Sequence, residues 1–183
     1  MLIYKCRVTG DEMISDAYKL RPVVDDETKE EVPELMECDS LIVLKSGADV
    51  DVGCGNAFGG EEEEAGPDGG EEKVNNIIDE SIGFGYNEMP MGKKDFKDWL
   101  KEYCGAVRKI LKDDDKMAGP EVKAFTQGAP TFCKFLLKKY DDLQFFMSPA
   151  FNPDGALAMS YYPEGAAAPT FIYIKKGLIE EKC

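Results

Sequence analysis

The stretch Lys93-Lys94-Asp95-Phe96-Lys97-Asp98-Trp99-Leu100-Lys101-Glu102-Tyr103-Cys104 (residues 93–104) opens a run whose apolar residues recur every three or four positions. Phe96, Trp99, Leu100, Tyr103, Val107, Ile110 and Leu111 fall at the spacing of one helical face. Gly119-Pro120-Glu121 then has the composition of a second helix start. Proline fits the first helical position, and a carboxylate favours the positive helix end. The second stripe is Val122, Phe125, Ala129, Phe132, Cys133, Leu136, Leu137 and Tyr140, and Pro130 within it is expected to kink or loosen one turn. Asp113-Asp114-Asp115 is the link, so short that the two helices are predicted to fold back as an antiparallel hairpin over about residues 92–142.

Outward from this pair the chain reads as β-structure. Leu2 to Val8 alternates as a strand, Thr9-Gly10-Asp11-Glu12 is a turn, and Ile14 to Leu20 is a second strand. Ser40 to Lys45 carries Leu41-Ile42-Val43-Leu44, an unbroken apolar run expected to be buried on both faces. Strand character returns over residues 73–91 and over Leu143 to Met147. Asn152-Pro153-Asp154-Gly155 reads as a tight turn in which glycine supplies a positive φ. Ala156 to Tyr162 and Thr170 to Lys175 are expected to pair as a hairpin. Strands, a helical pair and more strands give an α+β order, read as one domain over residues 1–183.

Charge is distributed unevenly. The 183 residues hold 22 Lys and Arg against 36 Asp and Glu, a net charge of −14. Nine of those acids, with eight glycines and no basic residue, lie in residues 46–72. Such a segment cannot bury enough apolar surface to offset its ordering entropy, so it is read as a mobile acidic loop. Glu61, Glu62, Glu63 and Glu64 within it offer carboxylates to Ca²⁺. No DxDxDG pattern is present, and a loop that must be ordered on binding predicts weak affinity, on the order of 10⁻⁴ to 10⁻³ M.

Several chemistries are excluded. The chain has no histidine, which removes Ser-His-Asp and Cys-His catalysis and imidazole ligation of zinc. The six cysteines form no CxxC pair, and no phosphate-binding glycine motif occurs. The cysteines are therefore read mainly as small apolar fillers, with terminal Cys183 exposed and able to cross-link two copies of an otherwise monomeric protein. The acidic balance argues against nucleic acid as partner. The opening is read as lacking a secretory signal, and no apolar run has the length of a membrane span, so a cytoplasmic setting is expected.

Against this acidic background the first helix is locally basic. Lys93, Lys94, Lys97, Lys101, Arg108 and Lys112 cover about 100° of its circumference, with the apolar stripe read on the opposite side. A segregated cationic strip is suited to docking on an acidic protein surface, such as the tail of tubulin.

Three separated motifs also carry a resemblance. Met1-Leu2-Ile3-Tyr4-Lys5 with Asp11-Glu12-Met13-Ile14-Ser15-Asp16-Ala17-Tyr18-Lys19 is the first. Leu143-Gln144-Phe145-Phe146 followed by Asn152-Pro153-Asp154-Gly155 is the second, and Lys175-Lys176-Gly177-Leu178-Ile179-Glu180-Glu181-Lys182-Cys183 is the third. Together they resemble the translationally controlled tumour protein family. The chain departs from that pattern at Phe58 and Gly60 in the acidic loop and at Ser148-Pro149. The resemblance implies a β-sandwich-like body, the β-tent, with a projecting helical hairpin and a disordered loop. That fold is similar to a zinc-binding Rab GTPase chaperone and to methionine sulfoxide reductase B, without their zinc-ligand pairs. It further implies a protein that binds calcium and tubulin and supports growth and survival; the lack of a catalytic constellation in the sequence adds the expectation of a non-enzymatic protein without a resident cofactor. The alternative it raises is nucleotide-exchange regulation of a Ras-like small GTPase, with Glu12 as the contact.

Overall fold

A computed structural model describes residues 1–45, 72–114, 116 and 118–183. The two helices lie where the periodicity places them. Helix α1 spans Lys93–Asp113 and α2 spans Pro120–Lys138, which runs through Pro130 without a break. Gly119 precedes α2 at φ 91°, a left-handed conformation that favours glycine, and Pro120 follows at the first helical position. Asp114 closes α1, and Asp115 lies outside the described residues.

The β-structure comprises β1 Leu2–Cys6, β2 Glu12–Ser15, β3 Arg21–Val24, β4 Glu31–Asp39, β5 Ile42–Leu44, β6 Lys73–Asn75, β7 Asn87–Glu88, β8 Gln144–Met147, β9 Ala158–Tyr161, β10 Thr170–Ile174 and β11 Leu178–Lys182. Among the described residues they form a six-stranded sheet in the order β3-β4-β10-β9-β8-β7, a three-stranded sheet β11-β1-β2 and a two-stranded ribbon β5-β6. All pairings are antiparallel. The expected hairpin of β9 and β10 pairs Thr170 with Tyr161. The opening and closing strands pair from Leu2↔Lys182 to Cys6↔Leu178, so the first and third sequence motifs are spatial neighbours.

Four strand expectations need correction. The second strand is Glu12–Ser15, not residues 14–20; the chain turns at once, with the Tyr18 N–H donating to the Ser15 carbonyl at 3.2 Å. Leu41 to Leu44 is not buried on both faces. Val43 is buried, but Leu41 is 57% exposed, because β5 has only β6 as a partner. Residues 73–91 are strand only at β6 and β7, and turns and irregular chain fill the rest. Asn75 Oδ1 accepts from the N–H groups of Ile77 (2.9 Å) and Ile78 (3.2 Å), and Asp79 Oδ1 accepts from Ser81 (2.8 Å) and Ile82 (3.0 Å). Those local bonds compete with a sheet ladder and win. The fourth is an omission: β3 and β4 fill residues the sequence pattern leaves unassigned.

The core is built by both helices and the sheets together. Phe96 packs on Phe145 at 4.6 Å between ring centroids, and the lone tryptophan, Trp99, donates to the Gly155 carbonyl at 3.2 Å. That bond ties α1 to the Asn152–Gly155 turn. Gly155 is not a positive-φ position there; a Cβ on it would meet the Asn152 carbonyl oxygen at 3.2 Å, so close approach is what favours glycine. The Tyr103 hydroxyl donates to the Gly177 carbonyl at 3.0 Å. On α2, Phe125, Phe132 and Leu136 are buried in the same hydrophobic cluster. No helix among the described residues is long and apolar enough to cross a membrane.

Candidate functional site

Helix α2 is held on the body from both ends. Lys138 near its C-terminus pairs with Glu27 in the β3–β4 turn, and Glu121 in its first turn pairs with Lys176. The Glu121 carboxyl is held below its usual range by that ammonium. Between these ends Gly128 lies against Pro33 and Glu34 of β4, where an added Cβ would sit 3.2 Å from both side chains.

Helix α1 differs on its outer side. Lys93, Lys94, Lys97, Lys101, Arg108 and Lys112 are all exposed, and none of them joins an ion pair among the described residues. The structure brings three of them together. Lys97, Lys101 and Arg108 line one groove of about 560 Å³ between the helices, with Asp98 as the accompanying carboxylate. Leu100, Phe125, Ala129 and Leu137 supply its apolar wall. Lys93, Lys94 and Lys112 stand on α1 outside that groove.

The basic stripe does not lie opposite the buried stripe, contrary to expectation. At 100° per residue the two are centred only about 110° apart and abut along Leu100 and Cys104. Hence Lys97, Lys101 and Arg108 rim the helix–helix seam instead of pointing directly away from the body. The other wall comes from the broad apolar stripe of α2. Its fully buried members, Phe125, Phe132 and Leu136, lie within about 40° of one another. Ala129, Cys133 and Leu137 extend the stripe to about 140° and are only half-buried. The excess width of that stripe is the sequence signal for the groove.

Glu12 is exposed and begins the edge strand β2; it is not in a turn. It lies opposite Lys5, whose ammonium is 2.8 Å from Glu181. Glu61, Glu62, Glu63 and Glu64, the calcium candidates, lie outside the described residues. Among the described residues no three acidic or thiol side chains converge as a metal site.

The thiols are not uniform fillers. Cys6 and Cys38 are buried, and burial pushes the Cys38 thiol up to about 12. Cys6 accepts the Ala156 N–H at 3.2 Å. Cys183 is exposed, with its N–H donating to the Met1 carbonyl at 3.0 Å. Cys104 and Cys133 are half-buried on facing helices and line the same groove.

A second cleft, about 640 Å³, lies between β1/β11 and β3/β4 and includes Arg7, Arg21, Glu34 and Lys176. Glu34 adopts φ 62° within β4, and its Oε2 is buried without a hydrogen-bond partner among the described residues. Burial raises its carboxyl, while Lys176 and Lys175 oppose the rise. Neighbouring Glu37 is buried but satisfied, by Arg21 at 3.3 Å and by the Tyr161 hydroxyl at 2.7 Å.

Comparison with known proteins agrees over the whole chain. A family model described as translationally controlled tumour protein matches residues 1–179. A translationally-controlled tumor protein homolog of Schizosaccharomyces pombe is 32% identical over 183 residues, covering 100% of this chain and 99% of that protein. The solved structure of the translationally controlled tumor-associated protein p23fyp from Schizosaccharomyces pombe is similar with a TM-score of 0.71, at 32% identity and with 100% of each chain covered. The solution structure of translationally-controlled tumor protein from Caenorhabditis elegans gives a TM-score of 0.62 at 27% identity, covering 100% of this chain and 99% of that one.

Proposed function

Since the chain belongs to the translationally controlled tumour protein family, we propose that it is a non-enzymatic interaction protein of the cytoplasm that docks on acidic protein surfaces, tubulin among them, in support of cell growth and survival. One observation carries this reading. The six cations of the α1 strip are all exposed on a chain with net charge −14, and three of them rim an apolar groove. An acidic segment with apolar residues on one side would satisfy both the rim and the wall. Microtubule co-sedimentation tests it. Binding by the wild type should weaken with salt, and Lys97→Glu/Lys101→Glu should lose most of it. Equal, salt-insensitive binding by both proteins would reject electrostatic docking.

Weak calcium binding belongs to the same proposal, through Glu61 to Glu64. Titration calorimetry should give a dissociation constant on the order of 10⁻⁴ to 10⁻³ M, and replacing the four glutamates by glutamine should abolish the heat. Unchanged heats would move the site elsewhere. The protein is taken as a monomer, with Cys183 as the point of cross-linking under oxidation.

A second reading is nucleotide-exchange regulation of a Ras-like GTPase. It is favoured by the exposed carboxylate of Glu12 on an edge strand. Accelerated nucleotide release by the wild type, lost in Glu12→Ala, would support it; no acceleration over background dismisses it.

A further inference from the structure

Cys104 and Cys133 are free thiols that the docking reading does not use. They come from different helices, α1 and α2, and 28 residues separate them in sequence. Both line the inter-helical groove, and both are half-buried, so they are reachable from it. Cys6 and Cys38 are sealed in the core, and Cys183 lies at the end of the chain. Among the described residues, therefore, this is the pair of thiols that share a solvent-reached recess.

Their proximity has an electrostatic consequence. The Cys133 thiol is lowered from its ordinary range because the Cys104 S–H can donate to its thiolate. The Cys104 thiol is raised, first by the same interaction and then by burial. One sulfur is thus set up as the nucleophile and the other as its proton-bearing neighbour. Nucleophilic attack by a thiol requires the thiolate, so the two have different parts in any oxidation.

We propose that Cys104 and Cys133 form an oxidisable dithiol site in the helix–helix groove, which takes hydroperoxides and closes to a disulfide linking α1 to α2. The Cys133 thiolate attacks the peroxide oxygen. The O–O bond breaks, hydroxide leaves and takes a proton as water, and Cys133 becomes a sulfenic acid. The Cys104 sulfur then attacks the Cys133 sulfur. The S–O bond breaks, the departing hydroxide takes up the Cys104 proton as a second water, and the S–S bond forms. Two thiols and one hydrogen peroxide give one disulfide and two waters, the peroxide being the oxidant. The small residues Gly105 and Ala129 beside the pair leave room in the groove for the reagent.

The test uses the full chain with equimolar hydrogen peroxide, then alkylation and tryptic mass mapping without reduction. The expected product joins the peptide 102–108 to the peptide 124–134, lighter by two hydrogens than their sum. In Cys104→Ser a sulfenic-acid trap should label Cys133, and in Cys133→Ser it should label Cys104, because each variant lacks the second thiol that would resolve the sulfenic acid. The wild-type map does not depend on either variant folding. Separate, singly alkylated 102–108 and 124–134 peptides after oxidation would overturn the proposal. So would a cross-link that forms only after the chain is unfolded in denaturant, and so would the absence of trapping at both positions.

Discussion

The two helices of the hairpin share a core but face different surroundings. Helix α2 sits against β4, and ion pairs to Glu27 and Lys176 hold it near its ends. Helix α1 buries Phe96, Trp99, Tyr103 and Val107 and turns seven exposed cations outward. Both are amphipathic, so amphipathicity alone does not separate an anchoring element from a presenting one. Whether the polar side has partners in the molecule's own fold does separate them. On α2 the polar residues at the ends are engaged; on α1 the basic side is not, among the described residues.

The largest test of that contrast lies on the anchoring side. Phe132 is fully buried and packs tilted against Phe125, with ring centroids 5.8 Å apart. Phe132→Ala should cost about 3–5 kcal/mol through lost burial and a residual cavity. Leu137→Ala, one turn further along but on the half-buried groove wall, should cost clearly less. Chemical denaturation of both variants measures the difference, and equal losses would mean that the groove wall is core.

Glycine makes a second, smaller comparison. Both helices contain one mid-helix, Gly105 in α1 and Gly128 in α2. A Cβ on Gly105 would meet nothing within 4 Å, so Gly105→Ala should stabilise by about 0.5–1 kcal/mol from helix propensity alone. A Cβ on Gly128 would press on Pro33 and Glu34 at 3.2 Å. Pro33 is rigid, so Gly128→Ala should lose about 1 kcal/mol net. If both substitutions stabilise, α2 is not closely seated on β4.

The helices were legible in the sequence because a 3.6-residue period is a local signal that these side chains repeat for five turns. Strand β4 was not, because Pro33, Glu34 and Glu37 interrupt its alternation. Glu37 is tolerated inside only through Arg21 and Tyr161, which come from other strands and cannot be read locally. The turn at residues 75–82 was hidden for the opposite reason. Its isoleucines suggest a strand, but the Asn75 and Asp79 side chains capture the backbone first. At the candidate site, the identity of the cations was plain and their angular relation to the core was not. Abutting stripes become a groove only when a second helix supplies the other wall. The pairing of Cys104 with Cys133 is of the same kind, since neither residue carries information about its partner.

Acid titration gives a smaller effect with a definite sign, located where α2 meets β4. The Glu34 carboxyl is raised by burial, so the folded state holds its proton more tightly than the unfolded chain. Its ionisation therefore costs stability as pH rises through the folded value, and Glu34→Gln should be more stable than wild type at neutral pH. That advantage should shrink as pH falls through the raised folded value and be gone below about 4.3, the unfolded value. Asp39 has the opposite sign. Arg21, bonded through two nitrogens at 2.9 and 2.8 Å, holds its carboxyl low, with Thr170 adding a bond at 2.8 Å. Asp39→Asn should lose stability at neutral pH and converge on the wild type as pH falls through the depressed folded value. Parallel stability–pH curves for the two variants would contradict both assignments.

The smallest expected change in stability is at the presenting side. Lys97→Glu/Lys101→Glu replaces two exposed cations that have no ion-pair partner among the described residues, so no internal bridge is broken. What the substitution adds is repulsion. The two new carboxylates are four residues apart on one face, and the one at position 101 is three residues from Asp98; like-charge neighbours at this spacing cost a few tenths of a kcal/mol. The unfolding free energy should thus stay within about 0.5 kcal/mol of wild type, even though two charges of a binding face have been reversed. Salt should reduce even that difference, because it screens exposed charges. A loss above about 2 kcal/mol, or one that salt does not diminish, would show that Lys97 and Lys101 hold the hairpin on the body. Helix α1 would then be an anchoring element like α2, and its cations could not be available to an acidic partner.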